Sequence, residues 1–272
     1  MAVNNTSQPM RHIDVAALTA DEIDQVEKVS LRLVYQAAAQ FADEAWEIFC
    51  SSPDKEKDIA EDVTREMLDS FSGYTIRQRM FGTVDYKRPR WLPMPFGLVP
   101  QVLLVDAKAE DEDTRARLQL TQISMKVSFR SRTGELIEHD PGLEEYVAIR
   151  TLGGETKAIT SMILAHYCYH SVQGKKRRLV NLRLIALPHG RLKERYCPSA
   201  DDNIWIEGPH SKKLEEEARC RLSFKKMREK CPWRMQIIRW DTRGKATLAW
   251  TDVDERNTLV SVPVVIDRAT QT

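Results

Sequence analysis

The sequence predicts an α/β (α+β) fold in which a central mixed β-sheet is flanked by helices, with a long helix near the N-terminus. The sheet is indicated by two largely apolar runs, Val102–Val105 and Ile159–Tyr169. Such runs are typical of strands buried on both faces, because neither face meets water. The long helix is indicated by apolar residues that recur at helical spacing between residues 20 and 50.

A single domain over residues 1–272 is expected, because a hydrophobic content of 42% is sufficient for one core. A loose arm is predicted at residues 1–17. No apolar run approaches the roughly 18 residues of a membrane span, and the N-terminus has no apolar signal core, so a cytoplasmic protein is expected. The five cysteines are scattered and form no CxxC pair, which favours reduced thiols.

Two helices are predicted before the sheet. Thr19 and Glu22 have the spacing of a capping box, in which each side chain accepts from the other's backbone N–H. The first helix runs from there over about 20–50, and the second covers about 55–71. Three acidic residues of the second helix either face solvent or add a carboxylate to a site beside the sheet: Glu61, Asp62 and Glu66.

A candidate site lies where the first apolar run ends in Asp106-Ala107-Lys108. Residues i and i+2 of a strand face the same side, so the Asp106 carboxylate and the Lys108 amine leave one face together. This strand is predicted over about 101–108. An earlier strand is predicted over about 75–84 and ends at Asp85, and a proline-rich loop joins the two. Asp85 is therefore the candidate for a second carboxylate.

These residue types suit metal-assisted hydrolysis of a phosphodiester. Mg²⁺ prefers one or two carboxylates together with water and phosphate oxygens. It offsets charge on the phosphate and acidifies water, which a lysine can orient, or can deprotonate if its own pKa is lowered. Asp85, Asp106 and Lys108 are thus the candidate catalytic set, with both aspartates as metal ligands. A surface ion pair is the alternative, because Glu155-Thr156-Lys157 repeats the spacing by chance.

The charge distribution favours a nucleic-acid ligand. Residues 1–69 carry 6 Lys and Arg against 15 Asp and Glu, whereas the whole chain has a net charge of +1, so the remainder is basic. Between the two site strands, Lys87, Arg88 and Arg90 are either phosphate contacts or a solvated basic loop. The sequence contains no Gly-rich phosphate loop and no G-x-S-x-G, which argues against nucleotide-dependent and esterase functions.

Residues 211–230 fit either a helix or a strand. As a strand, Arg219 and Arg221 share one face, where each guanidinium can grip the O6 and N7 atoms of a guanine. As a helix, both arginines are solvated. A second ambiguous group is His166, Cys168 and His170 in the second apolar run. Their spacing of two along a strand is one that zinc ligands can have, but packed or hydrogen-bonded side chains explain the group better, because no fourth ligand is nearby in sequence.

The stretch Val84–Ala109, VDYKRPRWLPMPFGLVPQVLLVDAKA, resembles SfiI-like type II restriction endonucleases of the PD-(D/E)xK superfamily. Residues 27–33, 187–196 and 231–234 agree in the same order. Val84 stands where the superfamily pattern often has Pro. The resemblance implies a restriction-endonuclease-like fold, with Asp85, Asp106 and Lys108 as the catalytic set.

The resemblance also implies a Mg²⁺-dependent, sequence-specific endonuclease that cuts double-stranded DNA and leaves 5′-phosphate and 3′-hydroxyl ends. It implies a homo-oligomer, dimer or tetramer, with a homotetramer engaging two copies of an interrupted palindrome with GGCC half-sites. DNA contacts are implied for Arg115, Arg219 and Arg221. A non-catalytic, sequence-specific DNA-binding regulator is the alternative function, because it too requires the basic residues but not the chemistry.

Overall fold

Three helices precede the sheet in the computed structural model, which describes residues 12–70, 76, 78, 80, 84–111, 122–172, 176–208, 220–253 and 258–264. They are α1 (Ala20–Gln40), α2 (Ala42–Ser51) and α3 (Glu56–Ser70). The capping box is confirmed, since Thr19 Oγ1 accepts from the Glu22 N–H and Glu22 Oε2 from the Thr19 N–H. The prediction of one helix over 20–50 is wrong, because Phe41 leaves the helical conformation (φ −92°, ψ 11°).

A mixed sheet forms the centre of the protein. The strands of the described residues are β1 Tyr86–Met94, β2 Gly97–Asp111, β3 Val127–Arg130, β4 Leu136–His139, β5 Tyr146–Thr151, β6 Gly154–Val172, β7 Lys176–Leu187, β8 Trp205–Glu207, β9 Cys220–Leu222, β10 Met235–Trp240, β11 Ala246–Thr247, β12 Ala249–Val253 and β13 Leu259–Pro263. Seven of them form the central sheet in the order β1-β2-β6-β7-β10-β11, with β5 paired to β6. The β2–β6 pair is parallel, whereas β1–β2 and β6–β7 are antiparallel.

The strand beside the site is β1, which begins at Tyr86, so Asp85 directly precedes a strand. Of the strand predicted over 75–84, residues 76, 78, 80 and 84 lie in no strand, and the others lie outside the described residues. The predicted proline-rich loop is the β1–β2 hairpin. Pro89 and Pro93 lie within β1. Proline is acceptable there because β1 is an edge strand, and the N–H groups on its outer side need no partner in the sheet.

The sheet separates two apolar clusters. One face, which carries Leu103, Val105 and Ala107, packs against α1, α2 and α3. The other face carries Val102 and Leu104, and packs against β3, β8, β9 and a fifth helix. Asp106 and Lys108 continue the alternation of Val102 and Leu104, so they belong to this second face. Two short helices are described between β7 and β10, namely α4 (Lys193–Tyr196) and α5 (Phe224–Lys230).

Several smaller predictions have outcomes in the fold. The β3–β4 pair is a hairpin whose turn contains Thr133-Gly134, and Gly134 has φ +89°. Of the loose arm predicted at residues 1–17, residues 1–11 lie outside the described residues, whereas residues 12–17 are bound to the sheet, because the Ile13 N–H donates to the Leu98 carbonyl at 3.1 Å. Within the described residues, no helix is both long and apolar enough to cross a membrane.

Candidate active site

The register of the β1–β2 hairpin brings Asp85 opposite Asp106. Tyr86 pairs with Val105 in antiparallel fashion, so the residue before Tyr86 faces the residue after Val105. The backbone N–H of Ala107 donates to Asp85 Oδ2 at 2.7 Å. This bond fixes the Asp85 carboxylate beside Asp106, although the two residues are far apart in sequence.

Asp106 is buried, with 4% of its surface exposed, and its charge is held by two donors. Asp106 Oδ2 accepts from Gln122 Nε2 at 2.5 Å and forms an ion pair with Lys108 Nζ. Burial raises the pKa of the Asp106 carboxyl, the Lys108 ammonium opposes that rise, and the carboxylates of Asp85 and Glu61 add to it. Several negative groups thus converge at one buried carboxylate, which favours a bound cation.

The donor set fits Mg²⁺, because aspartate oxygens are the hard ligands that this ion takes. Asp85 and Asp106 are each held by protein donors through Oδ2, and no described residue donates to either Oδ1. Among the described residues, no group of three or more His, Cys, Asp or Glu side chains is arranged to hold a metal. Two carboxylates with water and phosphate oxygens are the usual complement for Mg²⁺.

Glu61 is the acidic residue of α3 that approaches the site. Its carboxylate is 18% exposed and pairs with Lys57 and Arg65, each at 3.3 Å. Its charge also acts on Asp106. By contrast, Asp62 and Glu66 are exposed. The sequence left this choice open because the position of a helix beside a sheet depends on tertiary packing.

The predicted phosphate contacts differ in exposure. Lys87 lies near both aspartates, and burial lowers the pKa of its ammonium while Asp85 opposes the shift. Arg88 is exposed, pairs with Asp69 at 3.1 Å, and lies over the Tyr86 ring. Both residues belong to β1, so the alternative of a basic loop is wrong.

Arg90 departs from the prediction because its guanidinium points into the protein. Its Nε donates to Gln101 Oε1 at 2.7 Å, and burial lowers the pKa of Arg90 to about 10. Gln101 in turn donates to Ser30 Oγ at 2.7 Å and Ser161 Oγ at 2.6 Å. Arg90 therefore ties β1 to the interior and is not presented to a ligand.

The ambiguous segment contains both a strand and a helix. β9 covers Cys220–Leu222 and α5 covers Phe224–Lys230. Within β9 the side chains of Cys220 and Leu222 are buried, whereas Arg221 is half-buried on the opposite side. Arg219 and Arg115 lie outside the described residues.

The group in the second apolar run is packed and hydrogen-bonded. His166 is fully buried, and its Nε2 lies 3.2 Å from Glu110 Oε2. Its Nδ1 lies 3.5 Å from Cys168 Sγ. The pairing of β6 with β7 shifts between Cys168 and Tyr169, which interrupts the regular alternation before His170. These contacts support the alternative that the sequence favoured over zinc.

Comparisons with known proteins agree with this architecture. A family model described as "Type II restriction enzyme SfiI" matches residues 32–238. The Type II restriction enzyme SfiI of Streptomyces fimbriatus is 38% identical over an alignment of 254 residues, which covers 90% of this chain and 94% of that protein. Asp85, Asp106 and Lys108 all lie within the matched residues.

Two solved structures share the fold. The crystal structure of tetrameric restriction endonuclease SfiI bound to cognate DNA matches with a TM-score of 0.87 and 36% identity, covering 94% of this chain and 99% of that one. The restriction endonuclease BglI bound to its DNA recognition sequence matches with a TM-score of 0.60 and 14% identity, covering 80% of this chain and 90% of that one. The second match is a likeness of fold alone.

Proposed function

Because the chain belongs to the SfiI family of type II restriction enzymes, we propose that it hydrolyses double-stranded DNA at a specific sequence with Mg²⁺ as its cofactor. One observation carries the proposal: the β1–β2 register sets Asp85 against Asp106, whose carboxylate also meets Lys108. Two carboxylates and an amine at one point are what metal-assisted phosphodiester hydrolysis requires.

In the proposed mechanism, Asp85 and Asp106 are the metal ligands and Lys108 acts on the attacking water. When bound, Mg²⁺ offsets charge on the scissile phosphate and acidifies water. Lys108 is 23% exposed, so its side-chain nitrogen can meet solvent, where it orients the attacking water. Attack on phosphorus opposite the 3′-oxygen leaves 5′-phosphate and 3′-hydroxyl ends.

The proposal predicts that the purified protein with Mg²⁺ cuts plasmid DNA into discrete fragments. Ca²⁺ is expected to support binding without cutting, because it takes oxygen ligands but does not acidify water as strongly. Agarose electrophoresis measures the cutting, fluorescence anisotropy measures the binding, and end-labelling identifies the termini. Sequence-specific binding with no cutting under either Mg²⁺ or Mn²⁺ would instead favour a non-catalytic regulator.

We propose that Arg219, Arg221 and Arg115 contact bases or backbone, and that Lys87 and Arg88 contact phosphates. Support comes from the basic composition after residue 69 and from the half-buried position of Arg221 in β9. Arg90 is left out, because its guanidinium is bonded to Gln101.

Arg219→Ala is expected to weaken binding of the specific duplex by about 1–3 kcal/mol, while hardly changing non-specific binding. The physical reason is the loss of a paired hydrogen bond to one base edge. Titration of cognate and scrambled duplexes measures both constants. Arg243→Ala removes an arginine that is 85% exposed and pairs with Asp241, and serves as the control. Unchanged sequence preference in the Arg219 variant would remove the base-contact assignment.

The relative's structure is a DNA-bound tetramer, and we extend this assembly to the present chain. A homotetramer is expected to engage two copies of an interrupted palindrome with GGCC half-sites, and hence to cut a two-site plasmid faster than a one-site plasmid. Light scattering tests the assembly and end-mapping tests the half-sites.

A cytoplasmic location, expected from the sequence, fits an enzyme that acts on DNA.

A further inference from the structure

Gln122 places a buried amide against the candidate metal ligand Asp106. Its side chain is 1% exposed, and its Nε2 donates to Asp106 Oδ2 at 2.5 Å. An ionised carboxylate can only accept, so the amide nitrogen must be the atom that faces it. The Lys108 ammonium contacts the same oxygen. Two protein donors therefore meet at Oδ2, and no described residue donates to Oδ1.

The two donors differ in how firmly they can hold the carboxylate. Lys108 is a point charge on a flexible stem, partly open to solvent, and its proposed task is to act on water. Gln122 is enclosed and uncharged, so it can fix the carboxylate without competing for the cation. If the lysine turned towards a water molecule, the amide would still hold Oδ2.

We propose that Gln122 is a positioning residue for the metal: it holds Asp106 through Oδ2 and so leaves Oδ1 as the oxygen that binds the ion. The proposal rests on the metal-ligand role of Asp106 given above and adds a residue that does not itself touch the ion. Groups that orient metal ligands in this way commonly change metal affinity about 10–100-fold when removed.

A second buried glutamine of the chain provides a matched comparison. Gln236 is also fully enclosed, but its Nε2 donates to the carbonyls of Trp233 at 2.7 Å and Thr251 at 2.8 Å. It lies on β10, which is separated from β2 by β6 and β7. Met resembles Gln in length and shape, so either Gln→Met replacement removes a buried amide and largely keeps the packing. Only the replacement of Gln122 removes a donor to Asp106.

The test is a divalent-ion titration of Gln122→Met beside Gln236→Met and the unaltered protein. Two midpoints are measured: the Ca²⁺ concentration that supports binding of a labelled duplex carrying the mapped site, and the Mg²⁺ concentration that gives half-maximal cleavage. Gln122→Met is expected to raise both midpoints about 10–100-fold. Its cleavage rate at saturating Mg²⁺ is expected to fall less than its metal affinity. Gln236→Met is expected to keep both midpoints.

Thermal melting separates positioning from simple loss of stability, because both Met variants should melt at similar temperatures. A folded Gln122→Met protein with unaltered Ca²⁺ and Mg²⁺ midpoints would overturn the proposal. If that variant does not fold, Gln122→Asn replaces it, since Asn keeps an amide but withdraws it by one methylene, and the same two outcomes apply. Cleavage by an Asp106→Ala variant would contradict the proposed function itself. If Asp106→Ala is inactive but Gln122→Met has unaltered Ca²⁺ and Mg²⁺ midpoints, only the role of Gln122 is contradicted.

Discussion

Replacing Asp106 with Ala is expected to abolish DNA cleavage while leaving DNA affinity within about tenfold. The variant loses one of two proposed metal ligands and the partner of Lys108. A loss in rate of about 10³-fold or more is expected, which corresponds to about 4 kcal/mol of transition-state stabilisation. Single-turnover cleavage with enzyme in excess measures the rate, and fluorescence anisotropy measures the affinity.

Lys108→Ala is expected to have the same phenotype, because it removes the amine proposed to act on the attacking water and leaves the Asp106 carboxylate without its ammonium partner. Asp201→Ala is the control for both variants, because Asp201 is 69% exposed and pairs with Arg130. It is expected to cleave at the normal rate. Full cleavage activity in the Asp106 variant would remove the catalytic assignment, and a parallel loss of activity in the Asp201 variant would make the comparison uninformative about chemistry.

Replacing Arg234 with Met is expected to lower the free energy of unfolding by about 3–5 kcal/mol. Arg234 is fully buried, and its Nη2 contacts Glu27 Oε2 at 2.5 Å and also Asp24. Glu27 is itself buried, and its other oxygen accepts from the His189 N–H at 2.8 Å. The variant would therefore leave a carboxylate inside the protein without its cation, between α1 and the segment before β10. Urea unfolding at neutral pH measures the loss.

The same variant is expected to be less defective in acid. Burial raises the pKa of Glu27 to about 7, and Arg234 opposes that shift; without Arg234, the pKa of Glu27 rises further. A carboxyl whose pKa is raised on folding favours the folded state when protonated, and this contribution is lost as the pH rises through the folded pKa. The deficit of Arg234→Met should therefore shrink as the pH is lowered from about 8 to about 5.

Arg195→Met is the matched control, because Arg195 pairs with the same Asp24 carboxylate but is 41% exposed. Exposed ion pairs contribute about 0–1 kcal/mol, so its loss should be small and nearly independent of pH over this range. An Arg234→Met protein as stable as the control would show that the buried pair does not hold α1 in place.

The parts of this protein that follow local rules were accessible from its sequence. The capping box needs only Thr19 and a glutamate three residues on, and the shared face of Asp106 and Lys108 needs only the alternation of a strand. The buried runs in β2 and β6 were visible because both faces of a central strand are apolar. The stretch from Val84 to Ala109 was sufficient to indicate the restriction-enzyme family, and most of it forms the β1–β2 hairpin.

Contacts between distant residues were decided by the tertiary structure. The prolines of β1 obscured a strand, because only its position at the edge of the sheet makes them acceptable. Arg88 and Arg90 have the same charge, yet the guanidinium of Arg90 is bonded to Gln101 inside the protein, whereas that of Arg88 faces solvent. The amide of Gln122 gives no signal in the sequence, since nothing local indicates that it will meet Asp106.

The sequence by itself supplied the candidates for the chemistry and determined on which strand face the aspartate–lysine pair lies, because these depend on residue type and on a period of two along the chain. The tertiary structure alone decided that Asp85 stands against Asp106, since this depends on the pairing register of two strands. Register is fixed by the packing of whole faces against a core, and that information is spread over the molecule instead of residing in one segment.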